Sequence, residues 1–216
     1  MSNLGHHLWR FCFLVAAALL FTGGRQHPHG SMAEMLGDPS WTGAHLLVLG
    51  GYAALLAGLL LYRGGAASPE RTRRWRRLAI VGTVLQVVEM AIHTAASVDH
   101  AHLVAGEPTP VLTTHLRLAI TLCPIFGVLV AGFIVATARD RTLGSPWIAP
   151  LGVVGVLAWG AASPLVAGLH LEQVWFLFPM VLLFALWMAL AAVWPQRATS
   201  ARRPEILGER RATTTA

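Results

Sequence analysis

The chain consists of long apolar stretches separated by short polar segments. A membrane-crossing α-helix needs about 20 consecutive apolar residues. Six apolar stretches stand out: Leu8 to Thr22, Trp41 to Tyr62, Leu78 to Ser97, His115 to Ala138, Pro146 to Leu169 and Gln173 to Trp194. All but the first are long enough for a full span. The pattern therefore predicts an all-α integral membrane protein, a helical bundle of six transmembrane helices.

The first stretch is short and has a second interpretation. Its apolar core begins directly after Arg10, as in a secretory signal peptide with a basic flank. The residues that follow, LLFTGGRQH (19–27), contain no clean small-x-small cleavage site. We therefore expect an uncleaved first helix, with a cleaved leader as the alternative. Residues 1–195 are predicted to form the transmembrane domain. Residues 196–216, polar and poor in aromatic residues, are predicted to form a disordered cytoplasmic tail.

Composition agrees with exposure to lipid. Of the 216 residues, 55% are hydrophobic and only 12% are charged, whereas soluble domains have about 25% charged residues. A soluble fold of this length could not bury so much apolar surface, so a lipid bilayer is the expected partner. The basic residues lie in short segments between the stretches, and there is no basic domain with interleaved aromatics, so nucleic-acid binding is set aside. Cys12 and Cys123 form no CxxC pair and no disulfide framework.

The distribution of arginine predicts the orientation. All 16 basic residues are Arg. If the N-terminus is cytoplasmic, only Arg25 and Arg117 face outward, which is a strong positive-inside pattern. We therefore expect a multi-pass protein of the plasma (cell inner) membrane, with both termini cytoplasmic.

The histidines are sorted to one side by this topology. Apart from His6 and His7, all of the 10 histidines fall in the outer half of the membrane or in loops that face outward. They are His27, His29, His45, His93, His100, His102, His115 and His170. Random scatter over two sides would rarely give this distribution, so it is the most informative pattern in the chain.

An acidic side chain lies deep in the third stretch, in the segment EMAIHTAASVDHAH (89–102). At about 1.5 Å per residue, Glu89 lies about 16 Å from the inner end of its helix, near the middle of a core about 30 Å thick. Gln86, Glu89, His93 and His100 share one helical face. That face should point into the bundle, because an ionisable group facing lipid is costly.

Neighbouring spans place imidazoles near the same level. The predicted cofactor-binding residues are His45, His93, His115 and His170, one from each of spans two to five. Tyr52 falls at about the depth of Glu89 and could hydrogen-bond to it. Arg117 could pair with Glu89 or Asp99 if it turns inward. The alternative is structural, since histidine tolerates the membrane interface and Glu89 with His93 could form a buried hydrogen bond.

Two outer loops offer further metal ligands. HPHGSMAEM (27–35) combines imidazoles and thioethers, a soft set that suits copper. DHAH (99–102) adds two imidazoles to Asp99. The candidate metal ligands are Glu89, His93, His27, His29, Met32, Met35, His100 and His102. Such residues also occur together by chance in polar loops.

Three functional hypotheses follow. In the first, two imidazoles bind a haem iron, or three together with Glu89 bind Zn, Cu or another transition metal, in a redox or metal-dependent role. In the second, Glu89 serves a small proton- or cation-coupled transporter, with Pro124 and Pro164 breaking helices. In the third, the chain is an accessory subunit of a larger membrane complex with no site of its own; a homo-oligomer is a further possible assembly. EMAIH is not HExxH, so no motif decides whether the protein is an enzyme.

Small residues spaced four apart predict close helix contacts. The pairs are Ala54 with Gly58, Gly132 with Ala136, and Ala185 with Ala189. An accessory subunit should expose such a face, whereas a metal or haem site needs at least two of the four span histidines within reach of one point.

Overall fold

The computed structural model describes residues 7–62 and 68–194, and that part of the chain is helical without strands. The α-helices are α1 Leu8–Gln26, α2 Met32–Gly37, α3 Ser40–Leu61, α4 Glu70–Ala95, α5 His100–Ala105, α6 Pro110–Asp140, α7 Ala149–Ser163 and α8 Val181–Val193. The predicted tail, 196–216, lies outside the described residues.

Six helical segments are long and apolar enough to cross a membrane. They are Leu8–Gln26, Ser40–Leu61, Glu70–Ala105, Pro110–Asp140, Ala149–Gly168 and Glu172–Val193. Each contains most of one predicted stretch, so the predicted fold class, an all-α multi-pass membrane bundle, is confirmed. The orientation of the termini stays a prediction.

The six spans form a closed ring in chain order. Each packs on the next, from α1 to α3, α4, α6, α7 and α8, and α8 returns to α1. Large side chains fill the interior of the ring; Phe13, Phe126, Phe133, Phe184 and Trp187 are all buried. The ring needs little loop, because its short connections join neighbouring antiparallel helices.

The two ends of the bundle differ in character. At one end the short helices α2 and α5 contact each other between the spans; we call this the α2/α5 end. At the opposite end, Arg71 and Thr72 at the start of α4 hydrogen-bond Asp140 at the end of α6, with 2.6 Å from Thr72 Oγ1 to Asp140 Oδ2. We call this the Arg-rich end.

The spans α7 and α8 are irregular towards the α2/α5 end. Pro164 lacks an amide hydrogen and its ring crowds the preceding turn, so α7 gives way to a π-turn over Pro164–Gly168. A 3₁₀ segment, Glu172–Met180, then leads into α8. His170 lies in the break between them, with a positive φ of 56°.

Glycines allow close approach inside the ring. A Cβ at Gly58 would lie 2.5 Å from Cδ1 of Phe13, and Gly132 lies beneath the indole of Trp75. Ala136 and Ala185 are buried as well. These members of the predicted small-residue pairs therefore pack within the bundle.

Candidate metal centre

Four imidazoles form a continuous row across the α2/α5 half of the bundle. His27 follows α1, His45 lies on α3, His93 on α4 and His115 on α6. Their ring centroids are 4.8 Å apart for His27 and His45, and 4.3 Å for His45 and His93. His93 and His115 are stacked at 3.7 Å. Three of the four span histidines are thus brought together, and His27 joins them from the loop.

Glu89 lies at one end of this row and is 1% exposed. Its Oε1 accepts a hydrogen bond from Nδ1 of His115 at 2.8 Å, and its Oε2 accepts one from Nε2 of Gln86 at 2.7 Å. Nδ1 of His93 is 3.9 Å from Oε1, too far for a hydrogen bond. The carboxylate therefore joins α4 to α6 directly.

The partners of the ring nitrogens define the tautomers. Nδ1 of His45 is 2.6 Å from the carbonyl oxygen of Trp41, and Nδ1 of His27 is 2.7 Å from that of Pro28. A carbonyl oxygen only accepts, so each Nδ1 carries the hydrogen and each Nε2 keeps its lone pair. In the described part of the chain, Nε2 of the buried His45 has no hydrogen-bond partner. Metal-binding histidines have this arrangement, with one nitrogen donating to an oxygen and the other free to bind.

The row contains two overlapping groups of potential ligands. His27, His45 and His93 form one, and Glu89, His93 and His115 form the other. Within each group, one potential ligand atom per residue lies within 4.8 Å of the others. A tetrahedral zinc ion with Zn–N distances of about 2.0 Å holds its ligand atoms roughly 3.3 Å apart. Side-chain shifts on the order of 1 Å would therefore close either group around an ion.

An apolar layer covers the row towards the α2/α5 end. We call it the outer apolar cap, and it consists of Met35, Leu36, Trp41, Ala96 and Leu112. Trp41 on α3, Leu112 on α6 and Ala96 just beyond α4 each lie three or four residues from the histidine of their own helix. That spacing places each of them about one helical turn closer to the α2/α5 end than the histidine. The sequence predicts a polar pocket that opens outward between spans two and five, whereas in the structure this cap lies over the row.

A second apolar layer closes the other side. Phe126 lies beside Gly82, two helical turns from Glu89 towards the Arg-rich end. Phe126 and Phe184 are fully buried there, and Val130 is 1% exposed. The centre thus lies between two hydrophobic layers, although His27 and His93 are only half-buried.

The other residues predicted as ligands lie elsewhere. His170 is exposed in the break after α7, and His29 is exposed in the first loop. His102 is exposed and pairs with Glu107, with 2.7 Å from Nδ1 to Oε2. His100 packs against Gly37. None of these belongs to either ligand group in the described residues.

The two methionines of the first outer loop pack among apolar residues. Met35 is part of the outer apolar cap, and Met32 packs against it. Ser31 and Glu34 form a capping box at the start of α2, so the second half of the HPHGSMAEM segment is helical. The segment contributes only His27 to the row.

Two residues, Tyr52 and Arg117, were predicted to bind Glu89 or Asp99, and neither does so in the described residues. The buried hydroxyl of Tyr52 has no hydrogen-bond partner in the described residues, so it does not bind Glu89. Arg117 is exposed and makes no ion pair within 7–62 and 68–194. Asp99 is 3% exposed and accepts a hydrogen bond from the amide of Leu112 at 2.8 Å. It thereby satisfies a free amide in the first turn of α6.

Burial lowers the pKa of His27 below its usual value of 6.5, although its hydrogen bond to the carbonyl of Pro28 acts in the opposite direction. His27 is therefore neutral at pH 7, and a metal ion binds imidazole in the neutral form. Its place one residue after α1 is the signal that could have linked it to the span histidines.

Comparison of the chain with protein-family models, curated proteins and solved structures gave no match. The centre is therefore interpreted from its own chemistry. Imidazole nitrogens with one carboxylate suit zinc, copper, nickel or iron, whereas magnesium and calcium prefer sites built from oxygen.

Proposed function

We propose that this multi-pass membrane protein binds one transition-metal ion between α3, α4 and α6. The candidate ligands are His27, His45 and His93, which form one of the two ligand groups, with His115, whose ring stacks on His93, as a fourth ligand after a further side-chain shift. The observation that carries the proposal is the unpartnered, buried Nε2 of His45 within a row of four imidazoles. An unsatisfied buried polar atom costs about 1–3 kcal/mol, which a bound ion would offset.

The geometry favours an ion over haem. The rings of His93 and His115 are in direct contact at 3.7 Å, which leaves no space for a porphyrin between them. Because Met32 and Met35 pack with the outer apolar cap, thioether ligands give no preference for copper. Zinc is our first choice, since three imidazoles and one further ligand are a common zinc site.

Glu89 acts on the ion through His115. Its Oε1 accepts the Nδ1 hydrogen of His115, which leaves Nε2 as the nitrogen of that ring that can bind a metal ion. Carboxylate–histidine–metal arrangements of this kind fix the tautomer and raise the basicity of the imidazole. The carboxylate also supplies a negative charge that offsets part of the charge of the ion.

The test is metal analysis of the full-length protein purified in detergent, followed by calorimetric titration with Zn²⁺ after chelation. We expect one equivalent in the unchanged protein and its loss in His45→Ala and His93→Ala. His29→Ala is the matched control, because His29 is exposed and only two residues from His27. The proposal is overturned if the unchanged protein takes up no Zn²⁺, Cu²⁺ or Ni²⁺, or if His45→Ala binds as well as His29→Ala.

Proton or cation transport through Glu89 is the second candidate. It is favoured by the buried chain of polar groups from His27 to Glu89 and Gln86. The apolar layer around Phe126 argues against a path that continues to the Arg-rich end. In proteoliposomes, a transporter would give a proton or Zn²⁺ flux that Glu89→Gln abolishes, whereas a binding protein gives none.

A further inference from the structure

An open groove of about 510 Å³ lies between α6 and α7 at the Arg-rich end. Its volume falls within the range of roughly 300–1,000 Å³ found for ligand pockets. Val135, Val153 and Val154 form part of an apolar wall, and Arg139 and Arg141 line the groove as well. It is remote from the imidazole row, which lies in the α2/α5 half of the bundle.

The two arginines at the groove have no acidic partner in the described part of the chain. Neither Arg139 nor Arg141 makes an ion pair with another residue in 7–62 or 68–194. The acidic residue between them, Asp140, is already bound by Arg71 and Thr72. Both guanidinium groups are therefore available to an anion outside the chain.

The surroundings match the depth of lipid headgroups. Trp147, in the turn between α6 and α7, is 89% exposed. Exposed tryptophan is typical of the membrane–water interface, where its ring lies at the level of the headgroups. An open apolar groove at this level fits an acyl chain, and the two arginines beside it favour an anionic headgroup.

We infer that this groove binds an anionic phospholipid. An acyl chain lies along Val135, Val153 and Val154, and the phosphate accepts hydrogen bonds from Arg139 and Arg141. Guanidinium groups bind phosphate oxygens in pairs, and basic pockets between transmembrane helices recognise anionic headgroups. A zwitterionic choline lipid fits less well, because its positive headgroup would face the same two guanidinium groups.

The test measures which lipid stays bound. The full chain is placed in nanodiscs of mixed phosphatidylcholine and phosphatidylglycerol, and retained lipid is identified by native mass spectrometry. We expect the unchanged protein to prefer phosphatidylglycerol. The double variant Arg139→Gln with Arg141→Gln should lower this preference roughly thirtyfold. That factor corresponds to about 1 kcal/mol for each arginine near anionic lipid, at 1.4 kcal/mol per tenfold change.

The matched control is Arg74→Gln with Arg77→Gln, which removes the same charge from the Arg-rich end but outside the groove. It should keep the preference. Val154→Trp, which fills the groove without changing charge, should lower retention, and circular dichroism of each variant verifies that it is folded. The inference is overturned if the unchanged protein shows no preference for phosphatidylglycerol, which is the result expected if a protein segment fills the groove. Equal losses in the two double variants also overturn it.

Discussion

The hydrogen bond between His45 and Trp41 is a local feature of one helix. The ring of His45 donates to the carbonyl four residues earlier, which faces it across one turn of α3. His115 is different, because its partner Glu89 comes from another helix. One imidazole of the row is therefore oriented by its own sequence neighbours, and another depends on the packing of α4 against α6.

Replacing Glu89 by Gln should weaken metal binding without removing the site. The amide oxygen can still accept the hydrogen of His115, but the negative charge is lost. We expect the Zn²⁺ dissociation constant to rise roughly 10- to 100-fold at unchanged stoichiometry, as for other residues that orient metal ligands. Calorimetric titration measures both quantities.

The control for this change is Glu107→Gln. Glu107 also pairs with a histidine, His102, but both are exposed and outside the row. Its Zn²⁺ affinity should equal that of the unchanged protein. An unchanged dissociation constant in Glu89→Gln would contradict the orienting role, and complete loss of binding would make Glu89 a direct ligand instead.

The positions of individual residues of the centre are predictable from the sequence only in part. Helical spacing places Gln86, Glu89 and His93 on one inward face, and the structure has them there. His170 could not be placed from the sequence, because the π-turn after Pro164 ends the regular helix before it. The sequence assigns His27 to a loop site, and only its position one residue after α1 indicates that it could lie beside the span histidines.

Helix packing in the ring depends on glycines with little space around them. Gly155 of α7 faces the backbone of the last span, where an added Cβ would lie 2.4 Å from the amide nitrogen of Phe184 and 2.9 Å from the carbonyl oxygen of Met180. These backbone atoms cannot rotate away as a flexible side chain would. Close approach here therefore requires glycine.

Gly155→Ala should separate α7 from α8 and destabilise the bundle. Overpacking of this kind costs about 1–3 kcal/mol, which thermal unfolding in detergent detects as a lower Tm. The matched control is Gly43→Ala in α3, where nothing lies within 4 Å of the added Cβ. Its Tm should stay equal or rise, because alanine favours helix. The prediction is contradicted if Gly155→Ala unfolds at or above the Tm of Gly43→Ala.

The helix boundaries were less predictable than the spans. Hydropathy identifies each span because lipid requires a long apolar helix, but it says little about polar ends. The SPERTRRWRR segment (68–77) separates two apolar stretches, yet α4 begins within it at Glu70. Arginine favours helix, and Glu70 pairs with Arg73 and Arg77 in the first turns.

The whole molecule has a charge asymmetry that predicts its orientation in the membrane. The starts of α4 and α7 and the end of α6 lie at the Arg-rich end, which the positive-inside rule assigns to the cytoplasm. The loop that contains Glu107 is then on the outer side of the membrane, and Trp147 is on the cytoplasmic side. Both residues are exposed and suit substitution by cysteine.

In intact cells, we expect a membrane-impermeant maleimide to label Glu107→Cys but not Trp147→Cys. After the membrane is permeabilised, both should react. The unchanged protein is the control, since Cys12 and Cys123 lie within spans and should stay unlabelled. The reverse labelling pattern would show that the orientation is inverted.

The outer apolar cap affects the rates at which an ion binds and is released. An ion that approaches along α3, α4 and α6 from the α2/α5 end has to pass Trp41, Ala96 and Leu112, none of which offers it a ligand, and an ion that leaves this way meets the same barrier. Entry and escape are slowed equally, so the equilibrium affinity is untouched while the residence time grows. Under the proposed function, the protein would hold its ion for long periods even at modest affinity, and would take it up slowly as well.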